Sequence, residues 1–148
     1  MQARTLAPLL AVPMLMVGLA AAAQTPEGRW KTIDDDTGKV KSIVEIYQAK
    51  DGNYAGKVAE ILHSERGPNP TCDKCKGANK DKPVKGMVIL WGLKPDGDGD
   101  NEFAGGTILD PAKGKTYKSK MELQDGGAKL GVSGCVAFIC REQVWVRE

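Results

Sequence analysis

Lys115-Thr116-Tyr117-Lys118-Ser119-Lys120-Met121-Glu122-Leu123-Gln124 alternates without a break between two kinds of side chain. Tyr117, Ser119, Met121 and Leu123 fall on one side, and Thr116, Lys118, Lys120 and Glu122 on the other. Successive side chains of an extended strand point to opposite faces, so this rhythm makes one dry face and one wet face, the mark of antiparallel sheet. Leu130 and Val132 continue the habit, and Val144 and Val146 alternate with Gln143, Trp145 and Arg147.

Working outward, seven further β-rich runs are bounded by turn signals. They are Arg29–Ile33, Val40–Gln48, Tyr54–Leu62, Val84–Gly92, Phe103–Leu109, Lys129–Cys135 and Glu142–Arg147. Asp/Gly-rich segments separate most of them, among them Asp34 to Gly38, Asp51-Gly52, Asp96 to Asn101 and Asp125-Gly126-Gly127. One long loop, Ser64 to Pro83, interrupts the pattern. The fourth run is continuous and apolar around Met87 to Trp91, which periodicity alone does not separate from a short buried helix. No segment has a helical period. Eight consecutive strands with mostly short connections predict an all-β protein, an eight-stranded antiparallel up-and-down barrel. Closure removes both unpaired edges. A β-sandwich is the competing architecture.

Residues 1–23 read as a secretory signal peptide. Arg4 supplies the basic start, Leu6 to Leu19 the apolar region, and Ala21-Ala22-Ala23 the small-residue cleavage pattern. Pro8 and Pro13 interrupt a run already short for a spanning helix, which favours cleavage over anchoring. The mature chain, residues 24–148, is then one barrel domain with no membrane span, expected in the periplasm or beyond. Removing Arg4 lowers the formal net charge from +2 to +1. Lysines and carboxylates are interspersed, so nothing points to nucleic acid.

Gly28-x-Trp30 opens the first run. It resembles the Gly-x-Trp signature at the head of lipocalin barrels, where the Trp plugs the closed end under an Arg of the last strand. In a closed meander the first strand pairs antiparallel with the last, so its start lies beside the other's end. Arg147 is the natural barrel-closing partner of Trp30, with Arg141 second. The wider sequence resembles DUF2147, a family of exported bacterial domains. The resemblance rests on Gly28-Arg29-Trp30, on Cys72-Asp73-Lys74-Cys75-Lys76-Gly77, and on Gly105-Gly106-Thr107-Ile108-Leu109-Asp110-Pro111 followed by Gly114 to Tyr117. It extends to the run from Arg141 to Trp145. The resemblance implies a lipocalin-like barrel and no established activity. Cys135 and Cys140 look like additions to the family pattern.

Four cysteines in an exported chain predict disulfides. For Cys72-x-x-Cys75, a structural disulfide is favoured over a redox pair. Pro68 and Pro70 precede the pair and Gly77 follows it, so no helix start is there to depress a thiol pKa. Lys74 and Lys76 keep the redox reading open, and a four-thiolate zinc site is the third reading. Five residues of strand span roughly 16–17 Å, whereas a disulfide needs Cα atoms within about 6.8 Å. A Cys135–Cys140 bond therefore requires a sharp bend, for which Gly134 is the candidate. Three connectivities remain open.

No metal site or cofactor is expected. Asp96-x-Asp98-x-Asp100-x-Glu102 has Asn101 and Thr107 where a calcium loop needs Gly and Glu. His63, the sole histidine, offers no catalytic constellation. The expected function is therefore non-enzymatic: binding of a small hydrophobic ligand inside the barrel, lined by Val44, Ile46, Tyr117, Ser119, Met121, Leu123, Leu130 and Val132. These residues could equally fill the barrel. The alternatives are an interaction module for an envelope protein, using the Cys72–Cys75 loop and the Asp96–Asn101 loop together, and a thiol-disulfide oxidoreductase using Cys72 and Cys75.

Overall fold

The computed structural model of the protein describes residues 24–148, so the expected leader at 1–23 lies outside the described residues. Eight strands run in chain order: β1 Gly28–Ile33, β2 Val40–Gln48, β3 Tyr54–Ile61, β4 Val88–Pro95, β5 Glu102–Asp110, β6 Lys115–Gln124, β7 Lys129–Val136 and β8 Ile139–Arg147. Each pairs antiparallel with the next, and β8 returns to β1 through Trp30 opposite Arg147 and Lys31 opposite Val146. The sheet is a closed up-and-down barrel. Besides the strands there are two single 3₁₀ turns, Gly77–Asn79 and Asp125–Gly127. Among the described residues no helix is long and apolar enough to cross a membrane.

β6 follows its sequence pattern: Ser119, Met121 and Leu123 are buried, and Thr116, Lys118, Lys120 and Glu122 are exposed. Registered neighbours carry the inner face around the barrel. Met121 faces Val132, Leu123 faces Leu130, Leu130 faces Trp145, Trp30 faces Val44, and Val44 faces Val58. Trp30, Val44, Leu90, Leu93 and Leu130 have no exposed surface at all.

The fourth strand is displaced from its sequence-based position. Val84 to Met87 belong to the connection, and the strand instead continues through Leu93 to Pro95. A paired irregularity explains the extension past Gly92. Gly92 on β4 and Gly105 on β5 take φ of +75° and +76°, a region that favours glycine. The facing of both strands flips there together, and their register is kept. Leu90 and Leu93, three apart, are consequently both fully buried, while Trp91 between them is partly exposed. No two-residue rhythm survives such a flip.

β7 and β8 form one hairpin with a two-residue turn, Ala137-Phe138. β8 thus starts three residues before the sequence-based boundary. The bend that brings Cys135 opposite Cys140 lies at this turn, with Ala137 at φ +52°, and not at Gly134, which stays within β7. Their Cα atoms are 4.0 Å apart and the two are bonded. Cys72 and Cys75 form the second disulfide, and no cysteine is free.

Candidate functional site

Odd-numbered turns and even-numbered turns of a meander lie at opposite ends. One end holds the β1–β2, β3–β4, β5–β6 and β7–β8 connections; the other holds Trp30 and the remaining turns. The Trp30 end is sealed. The Arg147 guanidinium stacks 4.1 Å from the Trp30 ring centroid and donates to the carbonyls of Gly127 (2.7 Å), Glu27 (2.8 Å) and Thr25 (3.0 Å). The Trp30 indole N–H donates to the Pro26 carbonyl at 2.9 Å. Glycine suits position 28, where φ is +130° and a Cβ would sit 2.8 Å from an Arg147 nitrogen. Arg29, on the outer face of the same seam, pairs with both Glu60 and Glu148, and its hydrogen bond to Glu148 holds that carboxyl below its ordinary range.

Of the residues expected to line a ligand cavity, Val44, Ile46, Met121, Leu123, Leu130 and Val132 are brought together as an apolar floor. All six are at most 5% exposed. They pack against Trp30, Trp145, Phe103, Leu90 and Leu93 in one cluster. Tyr54 meets Phe103 edge-on at 5.1 Å. This floor is filled by side chains. The Trp145 indole nitrogen is buried in it without an acceptor among the described residues.

Tyr117 and Ser119 lie higher on the inner wall, toward the open end. The Ser119 hydroxyl donates to the Ser133 carbonyl at 2.8 Å and is thereby occupied. Tyr117 is registered with Ile108, and a Cβ added at Gly134 would lie 3.5 Å from both Ile108 Cγ2 and Tyr117 Cβ. Those two side chains therefore fill the space over Gly134. Thr32 and Ser42 share a 2.7 Å hydroxyl contact on β1 and β2, and Ser42 is registered with Ile61. From β8, Arg141 and Gln143 both donate to Asp35 of the β1–β2 turn, at 2.9 and 3.1 Å. Arg141 is thus engaged at the mouth, at the far end of β8 from Trp30. At the mouth, Ile61, Ile108, Tyr117, Ser42 and Gln143 are all partly exposed. Ser42, Ile61, Ile108 and Gln143 escaped the sequence reading. The register of β5 against β6 would have found Ile108, because it places that residue opposite Tyr117.

The β3–β4 connection flanks this mouth. Cys72 is fully buried and Cys75 is 4% exposed, and Val84 and Met87 join the same apolar cluster. Cys72 Sγ lies 3.3 Å from the Pro111 carbonyl, and the Lys74 carbonyl abuts Gly114 in the β5–β6 turn. The connection accounts for two residues that face outward yet are buried, Ile89 and Leu109. Buried sulfurs offer no surface for an attacking thiolate, and the pair does not open a helix. His63 is exposed at the end of β3. The Asp96–Asn101 loop is exposed and joins β4 to β5 at the end opposite the β3–β4 connection, so the two loops do not form one contact surface. No group of His, Cys, Asp and Glu among the described residues is arranged to hold a metal ion.

Together, a closed eight-stranded meander and a sealed end under a Trp–Arg stack define a lipocalin-like barrel. The chain is similar to HP1028 from the human pathogen Helicobacter pylori, a protein described as belonging to the lipocalin family. The TM-score is 0.68 over 82% of each chain, at 18% sequence identity. The family described as "Uncharacterized protein conserved in bacteria (DUF2147)" matches residues 28–147, and the chain belongs to it. No curated protein matches the sequence.

Proposed function

We propose that this protein is an exported binding protein, without catalysis of its own, that takes one small and mainly apolar molecule at the mouth of the barrel rather than in its depth. The observation that carries this reading is the gradient along the inner wall. Trp30, Val44, Leu90, Leu93 and Leu130 have no exposed surface, whereas Ile61, Ile108, Tyr117 and Gln143 remain reachable. The mouth combines an apolar wall of Ile61, Ile108 and Tyr117 with polar groups from Ser42, Gln143 and Arg141, the usual composition of a small-molecule site. The ligand is then held by burial of its apolar surface, at about 25 cal/mol per Å², and oriented by a hydrogen-bonding group on the β8 side. Export to an oxidising compartment is supported by the leader-like start and by two disulfides with no free thiol.

The test is a titration of residues 24–148 with the fluorescent probe 1-N-phenylnaphthylamine. A saturable signal with one site is expected, weakened at least tenfold by Ile108→Asp or Tyr117→Asp with unfolding still cooperative. A signal that never saturates, or that both variants leave intact, overturns the reading.

A further inference from the structure

The geometry points to the tip of the β7–β8 hairpin as a docking point for a phospholipid bilayer bearing anionic headgroups. Val136, Phe138 and Ile139 are 63%, 93% and 70% exposed, and with Ala137 they form an unbroken apolar tip. A two-residue hairpin turn ordinarily takes Asn, Asp or Gly, because its residues need positive φ. Here Ala137 adopts φ +52° and the most exposed large apolar side chain, Phe138, follows it. The tip is therefore apolar against both solvation and backbone preference. The Cys135–Cys140 bond closes the hairpin immediately behind it. The tip is thus presented in a fixed shape, and docking need not order it.

Charge lies where a bilayer would meet it. A depression beside Val136 and Ala137 is lined by Lys76, Lys115 and Lys118 and contains no carboxylate. Among the described residues none of these three lysines forms a salt bridge, although nine salt bridges occur elsewhere. Lysine stems can follow an apolar surface while their heads reach the phosphate level, so an apolar finger with a lysine collar matches the boundary between acyl chains and anionic headgroups. A second copy of the chain is a poorer occupant. Even at the roughly 150–250 Å² that an aromatic side chain buries, three side chains stay below the approximately 800 Å² per partner of a stable interface. A bilayer has no such minimum.

The experiment is co-sedimentation of residues 24–148 with vesicles of phosphatidylglycerol and phosphatidylethanolamine, against vesicles of phosphatidylcholine alone. Binding at least tenfold tighter to the anionic vesicles is expected, and it should weaken as salt is raised. Phe138→Asp and the double change Lys115→Glu with Lys118→Glu should each reduce it at least fivefold with the thermal midpoint unchanged. In Phe138→Trp, the new indole should shift its emission to the blue on anionic vesicles only. Absence of binding, equal binding to both vesicle types, or binding that Phe138→Asp leaves intact overturns the proposal. So does a concentration-dependent dimer that Phe138→Asp abolishes while vesicles stay unbound. Phe138→Asp should leave probe binding at the mouth unchanged, so this proposal and the ligand reading fail separately.

Discussion

Arg147 lies across the face of Trp30, its guanidinium carbon 4.1 Å from the ring centroid, and in the same position its nitrogens reach three backbone carbonyls. One side chain thereby covers the plug and satisfies the N-terminal segment. Arg147→Ala is expected to cost about 2–3 kcal/mol: about 0.5–2 from the stack, the rest from hydrogen bonds to a charged donor. Arg147→Lys should recover less than half, because an ammonium neither stacks flat nor forks. Urea unfolding followed by tryptophan fluorescence measures both.

The filled floor and the partly exposed mouth should respond differently to truncation. Leu130 is fully buried, so Leu130→Ala is expected to cost about 2–5 kcal/mol. Tyr117→Ala, at a partly exposed position, should cost less than half as much while removing probe binding. Denaturation midpoints and probe titrations on the two variants check the contrast.

The two disulfides should be reduced in a fixed order. Cys140 is exposed, whereas Cys72 is fully buried. Mild reductant and alkylation of the folded protein should label Cys135 and Cys140 first, and Cys72 and Cys75 only on unfolding. Peptide mass mapping reads the order. Replacing Cys135 and Cys140 by Ser should cost about 2 kcal/mol for so short a loop.

Asp34 opens the β1–β2 turn and accepts from the Thr37 amide and hydroxyl, both at 2.8 Å, and from the Asp36 amide. These bonds, with Lys41 nearby, hold its carboxyl below the ordinary range, the Thr37 hydroxyl contributing most. A depressed pKa stabilises the folded state above the unfolded-state value, and that contribution is lost as pH falls through the folded-state value. Stability from this source should stay flat from neutral pH down to about pH 4 and decline below it. Asp34→Asn should flatten that acid limb, as thermal melts between pH 2 and 7 would record.

The barrel was legible in the sequence wherever side chains alternate, above all on β6 and at the pairing of Trp30 with the end of β8. It was illegible where the backbone changes the rule. The paired flip at Gly92 and Gly105 turns Leu90 and Leu93 inward together, and the continuous apolar run from Val84 to Gly92 carried no alternation that would have shown the strand passing on to Pro95. The hairpin bend was sought at Gly134 because glycine is the usual sign, and Ala137 carries none. The extent of the floor was hidden for a different reason. Alternation says which residues face inward but not how far along the barrel the large ones stop, and that boundary between floor and mouth is set by registers across five strands.

The seam between β1 and β8 has a consequence for biogenesis. β1 finds its second neighbour only after β8 has been made, and the Trp30 plug stays uncovered until Arg147 arrives. Every other strand pair is local along the chain, so ribosomal synthesis can pre-assemble a curled ribbon but cannot shut it. A polypeptide that waits for its far end in this way gains its closed form, and the cover over its plug, in a single late step.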